Sequence, residues 1–313
     1  MLQLTEIENA QKRLQGYVRR TPLVKVSPVK QKPGRADNLS LKLENLQITG
    51  SFKARGAVNK VLTLVPEQVE RGIVTASGGN HGLGVAYAGW LMGSQATIYL
   101  PHNTPAVKAQ KLEQWGAKVV FAGDVWDDAN RAALAAAECS GMTYIHAFAD
   151  EAVMAGQGTT GLEMLEDEPQ LDAVLVAIGG GGLICGISTA IKAIRPQTLV
   201  IGIEPAGAPT LFESLKAGHI VELPEVRTAA NTLAPRRSTE RNLEIIQRCV
   251  DSIVLVTDDE MRDAARWLWF EMGIAAELSG AATLAPLLSG KLRFDPQQKV
   301  CALISGAGTD GLT

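Results

Sequence analysis

The sequence predicts an α/β protein made of two three-layer domains with parallel-rich sheets. Two runs of alternating short apolar strands and helices carry that prediction, and small-residue loops join strand to helix in both. The first run spans 66–148 and the second 171–304. The first is inserted into the second unit, so residues 1–65 and 149–313 form a large domain and 66–148 a small one. A chain of 313 residues is long enough to build both cores.

Composition narrows the class. With 46% hydrophobic and 20% charged residues and a net charge of −3, the chain suits neither disorder nor a basic nucleic-acid surface. Cys139, Cys185, Cys249 and Cys301 form no CxxC pair and read as buried thiols of a reducing compartment. The N-terminus lacks the basic-then-apolar order of a signal peptide, and no apolar run is long enough to cross a bilayer. A cytoplasmic protein is expected.

In chain order, 4–16 reads as a helix, with Thr5 as its cap, Ile7, Ala10 and Leu14 at helical spacing, and Gly16 as its stop. Thr21-Pro22-Leu23 opens an extended region, and 39–44 alternates apolar and polar like a half-buried strand. That strand feeds Ile48-Thr49-Gly50-Ser51-Phe52-Lys53-Ala54-Arg55-Gly56, where the chain turns helical. A strand at 72–76 leads into Ser77-Gly78-Gly79-Asn80-His81 and a helix over 85–91. Strands at 96–100, 118–121 and 143–145 alternate with helices at 104–115 and 127–138. The second run has a fully buried strand at 171–178, then Gly179-Gly180-Gly181-Gly182-Leu183 and a helix over 184–194. Strands at 199–204, 252–256 and 300–304 and helices at 258–271 and 277–288 complete it.

Four stretches offer chemistry. Lys53 is either an ordinary surface lysine or one desolvated against an electrophilic cofactor, which would make its amine nucleophilic. The four glycines either make a tight turn or close their N–H groups around a phosphate at a helix N-terminus. Glu204 follows at about the distance of a ribose acceptor, but neither frame of the glycines completes G-x-G-x-x-G, and no Walker pattern fits. One phosphate monoester suits the turn better than a pyrophosphate. Ser77 to His81 is either a polar N-cap or a carboxylate cradle, and Ser305-Gly306 either a turn or a contact at the sheet's carboxyl edge. His102, His146 and His219 have no partners at metal-ligand spacing and read as structural or exposed. No G-x-S-x-G elbow is present. A lysine Schiff base with a phosphate-bearing cofactor and an amino-acid substrate would use all four stretches.

Ser51-Phe52-Lys53, Ser77-Gly78-Gly79-Asn80-His81, the glycine run with Leu183, and Ser305-Gly306 resemble, in order, the motifs of the fold-type II pyridoxal-phosphate enzymes. The resemblance is to their serine/threonine dehydratase branch and covers almost the whole chain. It implies a cofactor, pyridoxal 5'-phosphate, between the two domains, with Lys53 as its Schiff-base lysine and Phe52 beside its ring. Asn80 would bond the ring's 3′ oxygen. Gly179, Gly180, Gly181, Gly182 and Leu183 would hold the phosphate, and Ser305 would face the pyridine nitrogen. Ser77, Gly79, Asn80 and His81 would surround the substrate carboxylate. A neutral hydroxyl at the pyridine makes the ring a weaker electron sink, which favours β-elimination over transamination.

The implied activity is that of a threonine/serine ammonia-lyase, a carbon-oxygen lyase of amino-acid metabolism, expected as a homodimer or higher homo-oligomer and without a C-terminal regulatory domain. Racemases of the branch resemble Ser-Ser-Gly-Asn-His, whereas Gly78 here cannot transfer a proton. Glu204 and Ala208 match part of a divalent-cation site, but Thr210 stands where metal-binding relatives have Asp, so no metal is expected. Asn231, Arg236 and Arg237 belong either to a solvated loop or to an altered substrate pocket. Glu277, with Leu278 where relatives have proline, is expected near the cofactor. The alternatives are a dehydratase for another 3-hydroxy amino acid, of hydroxyaspartate or phenylserine type, β-replacement chemistry, or a non-catalytic ligand-binding paralogue.

Overall fold

The structure, a computed structural model, describes residues 2–34 and 37–312. The larger sheet holds β1 (Leu23–Lys25), β2 (Asn38–Leu43), β7 (Ala173–Ala177), β8 (Leu199–Pro205), β9 (Ser252–Val256) and β10 (Lys299–Ile304), ordered β1-β2-β10-β7-β8-β9. Among the described residues of this sheet only β1, at the edge, runs antiparallel. The smaller sheet holds β3 (Ile73–Ala76), β4 (Ala96–Leu100), β5 (Lys118–Phe121) and β6 (Thr143–Tyr144), all parallel, ordered β5-β4-β3-β6. The helices are α1 (Leu4–Leu14), α2 (Lys53–Val61), α3 (Pro66–Arg71), α4 (Asn80–Met92), α5 (Ala106–Gln114), α6 (Trp126–Ser140) and α7 (Glu151–Asp167). After them come α8 (Gly182–Ile194), α9 (Thr210–Ala217), α10 (Glu240–Cys249), α11 (Asp258–Met272), α12 (Leu278–Ala281) and α13 (Ala285–Leu288).

Each sheet is buried on both faces, because its strands are apolar at successive positions and alternate positions point to opposite sides. Leu175 and Ala177 face a core closed by α11, α12 and α13, whereas Val174 and Val176 face one closed by α1, α7, α8 and α10. Each such buried valine or leucine contributes about 1.5–3 kcal/mol. The smaller sheet packs Ile73 and Ile98 under α2 and α4, and Val74 and Ala76 under α6. Helix α2 therefore follows a strand of the larger sheet but packs in the core of the smaller one.

Several expectations change. Gln3, not Thr5, caps α1; Thr5 lies inside the helix. Strand β2 is buried at every position from 39 to 43, not half-buried, because Lys42 finds partners inside the protein. The helix expected over 277–288 is two short turns, α12 and α13, separated at Ala282, Thr283 and Leu284. Pro286 has no N–H with which to continue the ladder across that gap. Cys139 is exposed, while Cys185, Cys249 and Cys301 are buried; all are free thiols. Among the described residues no helix is long and apolar enough to cross a membrane.

Helix α7 escaped the sequence reading. Its residues from Val153 to Leu165 are all buried, so no polar face marks a helical period, and Gly156, Gly158, Gly161, Thr159 and Thr160 are weak helix formers. The glycines let three helices approach backbone to backbone. A Cβ on Gly156 would lie 2.6 Å from the Arg55 carbonyl oxygen of α2, and one on Gly186 of α8 would lie 2.3 Å from the Met154 carbonyl oxygen. Gly186→Ala is therefore expected to force α7 and α8 apart and to destabilise the chain by about 1–3 kcal/mol. A urea midpoint equal to wild type would contradict this packing.

Candidate active site

Strands β2, β10 and β7 are neighbours in the larger sheet, so the loops leaving their carboxyl ends emerge side by side, where α/β proteins bind ligands. These loops carry Lys53, Ser305 and the four glycines. The first two are stitched together. The Phe52 N–H donates to the Ser305 carbonyl at 3.3 Å, the Ala307 N–H donates to the Gly50 carbonyl at 2.8 Å, and Ser51 bridges Gly306. The Ser305 residue is buried, and the Ser51 hydroxyl is buried without a protein partner.

Lys53 opens α2, and its Nζ lies 5.2 Å from the Phe52 ring centroid. The amine donates to the Ala147 carbonyl at 2.8 Å. Although the side chain is only partly shielded, packing around its amine pushes the pKa down to about 8, with Glu277 opposing the shift. Two imidazoles flank this region. Burial and Lys53 hold His81 down at about 3 and His146 at about 4, so both are neutral near pH 7. The Nδ1 of His146 accepts from the N–H groups of Phe148 (3.2 Å) and Ala149 (3.0 Å), which places its proton on Nε2. These two bonds agree with the structural reading of His146, and the charge of Lys53 also reaches its ring. His102 stacks on Phe121, and His219 is exposed and bonds the Ala217 carbonyl at 3.1 Å.

The segment that receives Lys53 also meets the glycines. A Cβ on Gly180 would lie 2.3 Å from the Phe148 ring, and one on Gly182 would lie 2.8 Å from the Phe148 backbone. Gly181 has φ +93°, which favours glycine, and caps α8. The first-turn N–H groups of α8 have no intrahelical acceptor. Leu183 sends its side chain into the core, so only its backbone faces the turn. Asn242 of α10 pins the loop, donating to Gly180 (2.6 Å) and Phe148 (3.1 Å) carbonyls, and the Ser238 hydroxyl donates to the Gly180 carbonyl at 2.8 Å. Neither residue was found from sequence. The Thr239 cap and the buried spacing of Asn242, Leu243 and Ile246 mark α10 as a helix, but nothing local marks its task.

The turn after β3 supplies the opposite wall. The Gly79 N–H donates to the Ser77 hydroxyl at 3.3 Å, and the space a Gly79 Cβ would take is open to 4 Å. Asn80 opens α4 and donates to Glu277 Oε1 at 2.8 Å. The His81 Nε2 pairs with the Ile145 carbonyl at 2.9 Å, so it is Nε2 that carries the proton, and its buried Nδ1 has no partner. Glu204 is buried and caps α9 through the N–H groups of Leu211 (2.9 Å) and Phe212 (2.8 Å). Burial raises its pKa to about 8. Arg236 and Arg237 are exposed and reach Glu222 at 3.4 and 3.9 Å, and Asn231 is exposed. These contacts favour the solvated-loop reading of that stretch.

The donor set fits a small phosphorylated aldehyde. It offers an amine of lowered pKa, unpaired N–H groups at a helix start, and a buried Ser51 hydroxyl with no protein partner. Comparison with known proteins agrees. A family model described as "Pyridoxal-phosphate dependent enzyme" matches residues 14–306. The chain is 39% identical over 311 residues to an L-threonine ammonia-lyase of Thermotoga maritima, covering 99% of this chain and 76% of that one. It superposes with TM-score 0.90 on a processed threonine deaminase from Solanum lycopersicum, at 34% identity, covering 97% of this chain and 83% of that one. It superposes equally well, with TM-score 0.90, on a serine racemase from Dictyostelium discoideum, at 33% identity and 98% coverage of each. The lysine, the glycine cradle and these matches lead to one conclusion: the chain belongs to the pyridoxal-phosphate dependent enzymes of fold type II.

Proposed function

We propose that the chain is an ammonia-lyase that converts L-threonine and L-serine to 2-oxobutanoate or pyruvate and ammonia by β-elimination. The observation that carries this reading is the Lys53 amine, held at 2.8 Å from a neutral carbonyl and near two neutral imidazoles, so that it can act as a base near pH 8. The relatives named for threonine deamination support it. Two units would enclose the site, a large one of 1–65 and 149–313 and a small one of 66–148, with α2 packed between them. Asn80 and Ser305 would hold the cofactor ring and the glycines with the Leu183 N–H its phosphate. Ser77, Gly79 and Asn80, with the backbone N–H of His81 at the start of α4, would take the substrate carboxylate.

The bound cofactor supplies an electron sink for the substrate Cα. The chain's residues do the rest. The Phe52–Ser305 and Ala307–Gly50 backbone bonds fix the lysine loop. Lys53 takes the Cα proton; the C–H and C–O bonds break, and that proton and the leaving hydroxide make one water. The released enamine then hydrolyses to the 2-oxo acid and ammonia. Gly78 has no side chain to return a proton from the opposite face.

Purified, cofactor-loaded protein is expected to release 2-oxo acid from L-threonine and L-serine, while unreacted L-serine keeps its optical purity. Product from other 3-hydroxy amino acids only would shift the substrate assignment. Cysteine synthesis without any lyase product would refute the reaction, and rapid formation of D-serine would refute the single-base geometry.

A further inference from the structure

Glu277 precedes α12, and its hydrogen-bond partners come from three separate parts of the chain. Asn80 Nδ2 of α4 donates to its Oε1 at 2.8 Å, and the Thr232 hydroxyl donates to the same oxygen at 3.4 Å. The Glu277 N–H donates to the Gly306 carbonyl at 3.1 Å. A Cβ on Gly306 would lie 2.4 Å from Glu277 Oε1 and 3.2 Å from Asn80 Nδ2, so the bare backbone of Gly306 is what makes room for this pair. Glu277 thus joins the start of α4, which follows strand β3 of the smaller sheet, to the short turn Asn231–Leu233 after α9 through its carboxyl and to the turn after β10 through its N–H.

We propose that Glu277 is a positioning residue for the cofactor: its carboxylate fixes the Asn80 amide, leaving the second Asn80 N–H to point at the ring. The inference rests on the reading of Asn80 as a cofactor contact. A carboxylate is the stronger acceptor, because the bond it receives is charge-assisted. The charged groups around it are Asp310, whose Oδ1 accepts the Leu278 N–H at 3.0 Å, and Lys53. Burial first and Asp310 second raise the Glu277 pKa to about 7, while the bonds from Asn80 and Thr232 and the charge of Lys53 pull the other way. The latch on Asn80 is therefore tightest above pH 7 and weakens as the carboxyl takes up a proton below it.

The test uses the full chain and pyridoxal 5'-phosphate itself, with cofactor Kd read from the visible band and from tryptophan fluorescence. Glu277→Ala is expected to weaken cofactor binding about tenfold, but to change it less than about twofold in an Asn80→Ala background, because the two groups act as one unit. Glu277→Gln keeps a carbonyl acceptor but cannot ionise. It should bind cofactor within about threefold of wild type and lose the step in Kd expected near pH 7, keeping the part of the pH dependence that Lys53 sets nearer pH 8. Should Glu277→Ala fail to fold, the glutamine variant alone decides. A full tenfold loss in the Asn80→Ala background, or an unchanged pH step in Glu277→Gln, would overturn the proposal. Failure of the lyase assignment would show instead as wild-type protein that binds cofactor normally but releases no 2-oxo acid.

Discussion

Lys53→Ala is expected to lower 2-oxo acid release from L-threonine by at least about 10³-fold and to abolish the visible band of the loaded protein, because one side chain serves as both nucleophile and base. The loss should not come from unfolding. With its pKa held near 8, below the lysine value of 10.5, Lys53 at neutral pH is an ammonium that the folded chain solvates less well than the unfolded chain does. That unfavourable contribution is present below pH 8 and disappears as pH rises toward 10.5, so the alanine variant should be at least as stable as wild type at pH 7. Capture of cofactor by the unloaded chain requires the neutral amine. Its rate should therefore rise about tenfold per unit as pH climbs toward 8 and level off above it. A variant that loses activity together with its urea midpoint, or capture indifferent to pH, would contradict this role.

What the sequence disclosed followed physical type. Strands β7 and β10 announced themselves as apolar runs, and Lys53 and the glycines stood at strand-to-helix junctions where a phosphate or a nucleophile is expected. Residues whose job is set by a distant neighbour gave no such signal. His146 sits beside Lys53 only because β6 pairs with β3, and Asn242 reaches Gly180 across 62 positions of sequence. Lys42 shows the same limit from the other side. Alternation placed it toward water, since the pairing that buries it comes from α7, a helix with no amphipathic period to reveal it.

That buried pairing leads to the largest effect expected on stability. Arg55, two residues beyond the reactive lysine, donates to Glu44 from Nε and Nη2 at 2.8 Å each, and to Glu163 from Nη1 (2.7 Å) and Nη2 (2.9 Å). Lys42 completes the cluster, donating to Glu163 and the Thr21 carbonyl at 2.7 Å each. Two cations thus face two buried carboxylates, with the half-buried Asp167 3.7 Å from the Lys42 amine, and the network clamps α2 to β2 and α7. Arg55→Ala leaves two buried carboxylates beside one ammonium, a defect that costs about 3–5 kcal/mol. Its pH signature separates it from a simple loss of packing. In wild type, burial pushes the Glu44 carboxyl upward, but Arg55, with Thr21 and Lys42, more than offsets this, so its pKa lies below 4.5. Its contribution is therefore present above pH 4.5 and lost as pH falls through the lower folded value. Without the guanidinium, burial dominates and the folded pKa rises above 4.5, so the variant loses stability as pH rises through that range. Urea midpoints measured between pH 5 and 7 should thus slope downward for Arg55→Ala relative to wild type, and Glu44→Gln added to it should remove that slope. Parallel slopes would mean that Arg55 acts by shape alone and that its charge does not hold α2 in place.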